Sequence, residues 1–279
     1  MKKHVLFFCT LFTPFLLVLL IHIHWLMQGC SGSSTGGMAD LTWREAELLF
    51  KTFVPKERYN CKNIVKVGRT PEKRNGEGIY PTCMDETYEV KVPCIVYAFG
   101  IAGQWEFEDD FARRGCQVFA FDPSMNTDSH KRADNIWFYN IGIGTIDTDT
   151  FTPRVDNYVK KSKLFTWKVR TMESIMKMLG HTNSTIDVLK MDVESYEFDI
   201  LSRMMEDGTL KQVRQVLSEW HIFGDQKYDY PTKYSIAKQF WKYGFQAFSV
   251  VEHDPNYPST ICKQYCFQID FGFVNTKYK

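Results

Sequence analysis

Two hydrophobic periods alternate along most of the chain. Ile95–Phe99, Val118–Phe121, Ile136–Ile143, Ile186–Met191 and Val213–Trp220 are short, near-continuous apolar runs, the pattern of strands buried on both faces. Between them, apolar residues fall at helical spacing: Trp105, Phe107, Phe111 and Ala112 ahead of Gly115, Met172–Leu179 between Thr171 and Gly180, Tyr196–Met205, and Tyr234–Tyr243 ahead of Gly244. A threonine before a helix and a glycine after one satisfy the unpaired backbone groups at its two ends. Thr42-Trp-Arg-Glu45 has the form of a capping box opening a helix to about Phe53, with Trp43, Ala46, Leu49, Phe50 and Phe53 on one face and Pro55 ending it. Residues 55–90 are polar, interrupted by Gly and Pro, and predict an irregular lead-in; Asp147–Lys163 predicts a loop or short helix. Phe245–Val251 and Cys266–Val274 have no helix between them and are expected to pair antiparallel.

Strands alternating with helices predict an α/β fold with a mostly parallel sheet, here closed by a terminal antiparallel hairpin. That is the layout of class I methyltransferases; most dinucleotide dehydrogenases repeat the βαβ unit instead. The opening unit carries the first chemical signal. The run at Ile95–Phe99 ends in Gly100-Ile-Ala-Gly103, and the next run ends in Asp122-Pro-Ser124. Glycines after a strand let the backbone approach a ligand, the following helix start offers unpaired N–H groups, and a carboxylate 19 positions after Gly103 is placed for a ribose diol. The full G-x-G-x-x-G spacing is absent, so a plain turn competes with a nucleotide cradle at this point.

Length and charge bound the partners. The chain has 279 residues, enough for one domain with extensions, and a formal net charge of +1, which gives no reason to expect nucleic acid. Lys2 and Lys3 precede an apolar run over 5–27, about the length that spans a bilayer. The reading is a cytosolic tail (1–4), a signal anchor or signal peptide (5–27), a flexible Gly/Ser linker (28–40), the lead-in (41–91) and a catalytic-type domain (92–279). This single-pass type II topology places the domain in the secretory pathway, with the Golgi lumen as the expected site and secretion as the alternative. There, Cys61, Cys83, Cys94, Cys116, Cys262 and Cys266 form an even set suited to disulfides of open connectivity, and Asn183-Ser-Thr185 is a glycosylation sequon.

Leu189-Lys-Met-Asp192-Val-Glu194-Ser-Tyr-Glu197-Phe-Asp-Ile-Leu201 resembles the signature of FkbM-type methyltransferases, Lys-Ile-Asp-Val-Glu-Gly-x-Glu. The Val96–Ile101 and Phe121–Ser124 segments resemble that family's first motif. Together with Ser218-Glu219-Trp-His221 and the N-terminal anchor, they are most similar to the methyltransferase-like protein 24 group. Ser195 replaces the family glycine, and Ala102 departs from the glycine loop. The resemblance, spanning about 94–275, implies S-adenosylmethionine as methyl donor and an oxygen acceptor, here a glycan or other small hydroxyl compound. It implies Gly100, Ala102 and Gly103 beside the methionyl group, Asp122 at the ribose, and Asn140 or Gly142 at the adenine. Asp192 and Glu194 close the fourth strand and Glu219 and His221 the fifth, so they are expected to converge at the carboxyl edge of the sheet. Asp192, Glu219 and His221 are the catalytic candidates, with His221 as a neutral general base or, alternatively, a satisfied core histidine. Asp192 with Glu219 is also a candidate pair for a divalent cation. Glu194 and Glu197 have a second reading as caps of the next helix. Two rivals remain: a glycosyltransferase, for which Asp147-Thr-Asp149 would be the metal-binding acid-x-acid triplet, and an inactive binding module that keeps the fold.

Overall fold

In a computed structural model the described residues are 41–70, 78–155, 157–252 and 265–278, and 42–279 form one compact unit. The predicted anchor, linker and Cys262 lie outside the described residues, as does the side chain of Cys266. Among the described residues no helix is long and apolar enough to cross a membrane.

The core is one eight-stranded sheet. Its strands in chain order are β3 (Ile95–Phe99), β4 (Gln117–Phe121), β5 (His130–Ala133), β6 (Ile136–Tyr139), β10 (Ile186–Met191), β11 (Val213–Phe223), β12 (Phe245–Glu252) and β13 (Tyr265–Asn275). Across the sheet they run β12-β13-β11-β10-β3-β4-β6-β5. The pairs from β11 to β6 are parallel, β13 is antiparallel to both β11 and β12, and β5 is an antiparallel edge. The predicted terminal hairpin is therefore present, with its second strand inserted between the fifth strand and the first of the pair. β10 reads buried at all six positions, as a central parallel strand should.

Helices cover the faces. α1 (Trp43–Phe53) begins at the expected capping box, where Glu45 N–H donates to Thr42 Oγ1 and the Glu45 carboxylate accepts from Thr42 N–H. It buries Phe50 against Phe198, Tyr230 and Phe267, all edge-on or tilted at 4.9–5.8 Å. α2 is Glu106–Arg113. α4 (Met172–Met178) is capped by Thr171, whose Oγ1 accepts from Ser174 N–H. α5 (Glu197–Asp207) and α6 (Tyr230–Tyr243) complete the helices packed on the sheet.

Two sequence expectations are corrected, and a third is met in its short helix but not in its strand. The lead-in is not irregular: β1 (Ile64–Val67) and β2 (Tyr80–Cys83) form an antiparallel ribbon. Gln215, buried on β11, ties it to the sheet by accepting from Cys83 N–H and donating to the carbonyls of Cys83 and Tyr88. Ile136–Ile143 is two strands, because after Tyr139 the chain leaves the main sheet. Gly142–Ile143 (β7) pairs instead with β9 (Trp167–Arg170), and β9 pairs with β8 (Thr148–Phe151) in a separate three-stranded sheet. The polar 147–163 segment thus contributes β8 and α3 (Asn157–Ser162). A period of two is blind to which sheet a strand joins.

Two disulfides are formed, Cys61–Cys83 across the base of the ribbon and Cys94–Cys116 between the starts of β3 and β4. Each closes a loop with a sequence separation of 22, for which loop-closure entropy gives about 3 kcal/mol. Replacing Cys94 and Cys116 together by Ala should lower the urea-unfolding free energy by about that amount. Equal unfolding midpoints for the variant and the oxidised wild type would show that the bond is not formed.

Candidate active site

A cavity of about 250 Å³ opens at the carboxyl ends of β3, β4 and β10. Its floor is Gly100, the end of β3. Gly100 has φ +79°, and a Cβ there would lie 1.9 Å from the Asp192 carbonyl oxygen. No side chain fits such an approach, so glycine is required on both conformational and steric grounds. The close contact follows from the sheet itself: Asp192 N–H donates to Phe99 O at 3.1 Å, and Gly100 N–H to Phe121 O at 3.0 Å.

The loop after Gly100 is held from below. Asp122 Oδ2 accepts from the N–H groups of Ile101 (2.9 Å) and Ala102 (2.8 Å), while Oδ1 accepts from Ser124 N–H and Oγ. All four lone-pair positions of that buried carboxylate serve the chain itself. Asp122 is therefore the organiser of the loop, and a ribose diol would have to displace one of these bonds. Ala102 sits at φ +50° and Gly103 at φ +82°. Lys190, 5 % exposed, donates through Nζ to the Gly100 carbonyl and lies over the Tyr80 ring at 5.2 Å.

The predicted residues divide between the cavity wall and the layer behind it. Gly100, Ala102, Asp122, Gly142, Asp192 and Glu194 line the cavity; Gly103, Asn140, Glu219 and His221 do not. Asn140 uses its N–H on Ser129 Oγ, leaving Gly142 as the strand-end residue at the wall. Gly142 is packed against Pro123 and Val169, where a Cβ would come within 3.1–3.2 Å of each. Glu219 and His221 are buried on β11 beside Asp192, and ligand atoms of all three lie within 4.8 Å of one another.

Glu197 holds this inner layer together. Its Oε1 accepts from the N–H groups of Val193 and Ser195, each at 3.2 Å, and lies 3.1 Å from His221 Nδ1. Glu197 does not cap its helix, whose first residue it is, but ties down the turn that precedes it, and the same oxygen reaches the fifth strand. It also stabilises a strained turn, since Glu194 (φ +54°) and Ser195 (φ +84°) are successive left-handed residues. The family glycine at position 195 now has a reason, and Ser195 tolerates the strain with its N–H on Glu197 and its Oγ accepting from Gln226.

Electrostatics separate the roles. Burial alone would strip the proton from His221, but hydrogen bonds to Glu197 and Glu219 and their charges prevail and raise its pKa well above the ordinary value. A neutral imidazole base at pH 7 is not what these surroundings favour. Burial, then the Glu219 charge, raises Asp192 well above the usual carboxylate range.

Several residues at or near the site had no sequence motif. Tyr80 and Gly78, from the lead-in, line the cavity, as do Phe151, Arg154, Tyr158 and Trp167 from the second sheet and its helix. Lys190 was the readable case: a lysine inside a near-continuous apolar strand is rarely buried without a partner. Glu108 is another, lying on the apolar stripe of α2 next to Phe107 and Phe111. Asp147 and Asp149 are engaged elsewhere: Asp147 accepts from Thr171 N–H and Ser174 Oγ, and Asp149 pairs with Arg170.

Two predictions follow from these placements. Gly100→Ala should remove nucleoside-ligand binding in calorimetry, because the loop must leave Asp192; unchanged affinity would refute the contact. Glu108 is fully buried, and burial raises its pKa from 4.5 to about 7. The folded state then holds a proton that the unfolded state releases, so this contribution is complete below pH 4.5 and lost as pH rises through about 7. Between those limits wild type should lose up to about 3 kcal/mol relative to Glu108→Gln, read as the difference between their unfolding free energies at each pH. Parallel pH curves would exclude the shift.

A family model described as a methyltransferase domain matches residues 39–269. The human "Probable methyltransferase-like protein 24" is 25 % identical over 270 residues, covering 91 % of this chain and 69 % of that protein. Its rat counterpart is 26 % identical over 198 residues, covering 67 % of this chain and 52 % of that protein. Among solved structures, M. capricolum TrmK in complex with the natural cofactor product S-adenosyl-homocysteine aligns at 8 % identity with a TM-score of 0.32, covering 68 % of this chain and 65 % of that one.

Proposed function

We propose, from the premise that the chain belongs to the methyltransferase-domain family and is an S-adenosylmethionine-dependent methyltransferase, that it methylates a hydroxyl group of a secretory-pathway acceptor, a glycan or a similar small alcohol, at Asp192. The observation that carries the reading is that Asp192 and the glycine loop share one cavity and touch through their backbones.

The residues present fit the cofactor. Gly100 lets the loop close onto the Asp192 backbone at the cavity, and the loop to Gly103 would lie along the methionyl group. Asp122 and Ser124 would border the ribose and Gly142 with Ile143 the adenine, all but Gly103 being cavity-lining residues. When bound, S-adenosylmethionine supplies a methyl group already activated on a sulfonium. The chain is left to hold an acceptor oxygen in line with it and to ease loss of the hydroxyl proton. Asp192 and Glu194 are the carboxylates on the wall for that task. Glu197 fixes the turn between them, and His221 holds Glu197 and Glu219 in place from behind. This moves His221 from base to positioning residue.

The compartment is read from independent features. Two disulfides belong to an oxidising environment, the Asn183 sequon is exposed in the turn before β10, and the apolar run over 5–27 would supply the type II anchor. Sensitivity of the expressed protein to endoglycosidase, lost in Asn183→Gln, is the expected result for a lumenal domain; a single resistant species carrying free thiols would reverse it.

Thermal-shift titration tests the function. S-adenosylmethionine should raise the melting temperature in a saturable manner, and nucleotide sugars should not; the opposite result would favour the glycosyltransferase. Asp192→Ala should keep that shift and the fold while losing at least about 10²-fold in methyl transfer. Normal turnover in the variant would place the chemistry elsewhere.

A further inference from the structure

We infer that Asp192, Glu219 and His221 form a binding site for one divalent cation of the manganese or zinc type at the inner end of the cavity. The inference rests on reading Asp192 as the point of transfer and names what completes it.

The donors are suitable in kind and spacing. Two carboxylates and an imidazole, one from the end of β10 and two from within the adjacent parallel β11, bring ligand atoms within 4.8 Å of one another. His221 Nε2 and Glu219 Oε1 are 3.4 Å apart, a pair that a proton bridges in the metal-free chain and whose proton the ion would displace. Atoms bound to one ion at about 2.1 Å are separated by about 3 to 3.5 Å, so that pair already stands at the edge length of a coordination polyhedron. The third side is short as well, because the Asp192 ligand atom lies within 4.8 Å of both of the others.

The supporting layer is that of a metal-bound histidine. His221 Nδ1 lies 3.1 Å from the Glu197 carboxylate, which fixes the ring and directs Nε2 toward Glu219. A carboxylate on the distal nitrogen is the arrangement that orients imidazole ligands and raises their basicity. Glu219 is oriented in turn, since Gln268 Nε2 donates to its Oε1 at 2.7 Å. The Gln268 bond falls on the same Glu219 oxygen that stands 3.4 Å from His221 Nε2 and so fixes that donor atom.

The surroundings call for positive charge. Asp270 faces Glu219 in the strand register, and Glu197 and Glu219 are buried with Asp192 alongside. The Tyr80 hydroxyl is pushed well up by burial and then by the charges of Asp192, Asp270 and Glu219 among these same acids and of Glu108. Lys190 is committed to the Gly100 carbonyl. Three protein ligands would leave coordination positions on the Asp192 side, where the cavity lies, so an acceptor oxygen would have access to the ion. One imidazole with two carboxylates suits Mn²⁺ or Zn²⁺ better than Ca²⁺, which takes more oxygen ligands. Among the described residues the other group with ligand spacing, Cys61, Cys83 and Asp85, is excluded because its two sulfurs are bonded to each other.

The test uses the full chain stripped with a chelator and titrated with MnCl₂ alone, following loss of the free-ion signal by electron paramagnetic resonance. One equivalent should bind, with enhanced water-proton relaxation from open coordination positions. Asp192→Asn and Glu219→Gln should each weaken binding at least tenfold while keeping the wild-type melting transition; Asp192→Asn, at the cavity wall, decides the matter if the buried variant fails to fold. No saturable uptake by folded wild type, or equal uptake by folded Asp192→Asn, would overturn the site and leave the three groups as a buried ionic bridge. S-adenosylmethionine titrated into the same metal-free sample separates the two readings: cofactor binding without Mn²⁺ uptake removes the cation site alone, whereas Mn²⁺ uptake without cofactor binding removes the methyltransferase assignment of the cavity.

Discussion

The closest backbone approach at the cavity is at Gly100, where the space of a missing Cβ is filled by the Asp192 carbonyl. Everything functional is referred to that contact. It joins the end of the first parallel strand to the end of the fourth, and so brings a donor loop and an acidic turn to one place. Main-chain bonds from Gly100 to Phe121 and from Asp192 to Phe99 extend the sheet ladder to its last residue, which makes the contact a property of the sheet rather than of the loops. Side chains then secure each half. Asp122 gathers the amides of the glycine loop from one side, and Lys190 takes the Gly100 carbonyl from the other. Asp122 has every acceptor position taken, and Lys190 sits between the Gly100 carbonyl and the Tyr80 ring; a carboxylate or ammonium out of water must meet fixed partners.

The acidic turn is secured in the same way but at greater strain. Two successive left-handed residues, neither a glycine, are uncommon, and each costs of order 1 kcal/mol or more unless its surroundings over-determine it. Glu197 supplies that over-determination by collecting two turn amides and His221 on one oxygen. The price of this arrangement is a carboxylate cluster in a poorly solvated place, and the chain answers it with His221. A histidine between Glu197 and Glu219 is more useful charged than neutral, and its raised pKa follows from the company it keeps.

How far this was legible in the sequence depended on distance along the chain. Gly100, Asp122 and Asp192 could be read because apolar runs mark where strands stop, and α/β sheets bind ligands at those stops; Glu219 and His221 were expected at such a stop but lie within β11, which runs on to Phe223. Thr42, Thr171 and Gly244 marked helix ends for equally local reasons. What escaped was non-local or concerned partner choice. The 136–143 run looked like one strand because hydrophobic alternation survives a change of sheet. The 55–90 segment looked irregular because the ribbon is defined by Cys61 meeting Cys83 and by Gln215 reaching from 132 positions away, neither of which leaves a periodic trace. His221 was readable as a site residue but not as a charged bridge, since that depended on Glu197 being pointed toward β11. Asp122 was placed at the correct strand end, yet its carboxylate turned out to be spent on the loop.

Charge ties these parts to the chemistry. A sulfonium donor is cationic before transfer and neutral afterwards, so an unrelieved negative field would stabilise the reactant more than the transition state and slow the reaction. A site with Asp192 and Glu194 on its wall and Glu219, Glu197 and Asp270 behind it has that problem built in. Carboxylates are nonetheless needed where a hydroxyl must lose a proton. The two requirements are reconciled only if positive charge sits behind the acids, far enough from the donor not to repel it and close enough to absorb their field. His221 holds that position against Glu197 and Glu219, whereas Lys190 lines the cavity and holds the glycine loop. His221 is buried, so water does not screen it, and it is worth more there than any surface cation would be. The balance between acids that assist the acceptor and a buried cation that protects the donor's reactivity is therefore the quantity this fold has to set, and the layer behind Asp192 is where it is set.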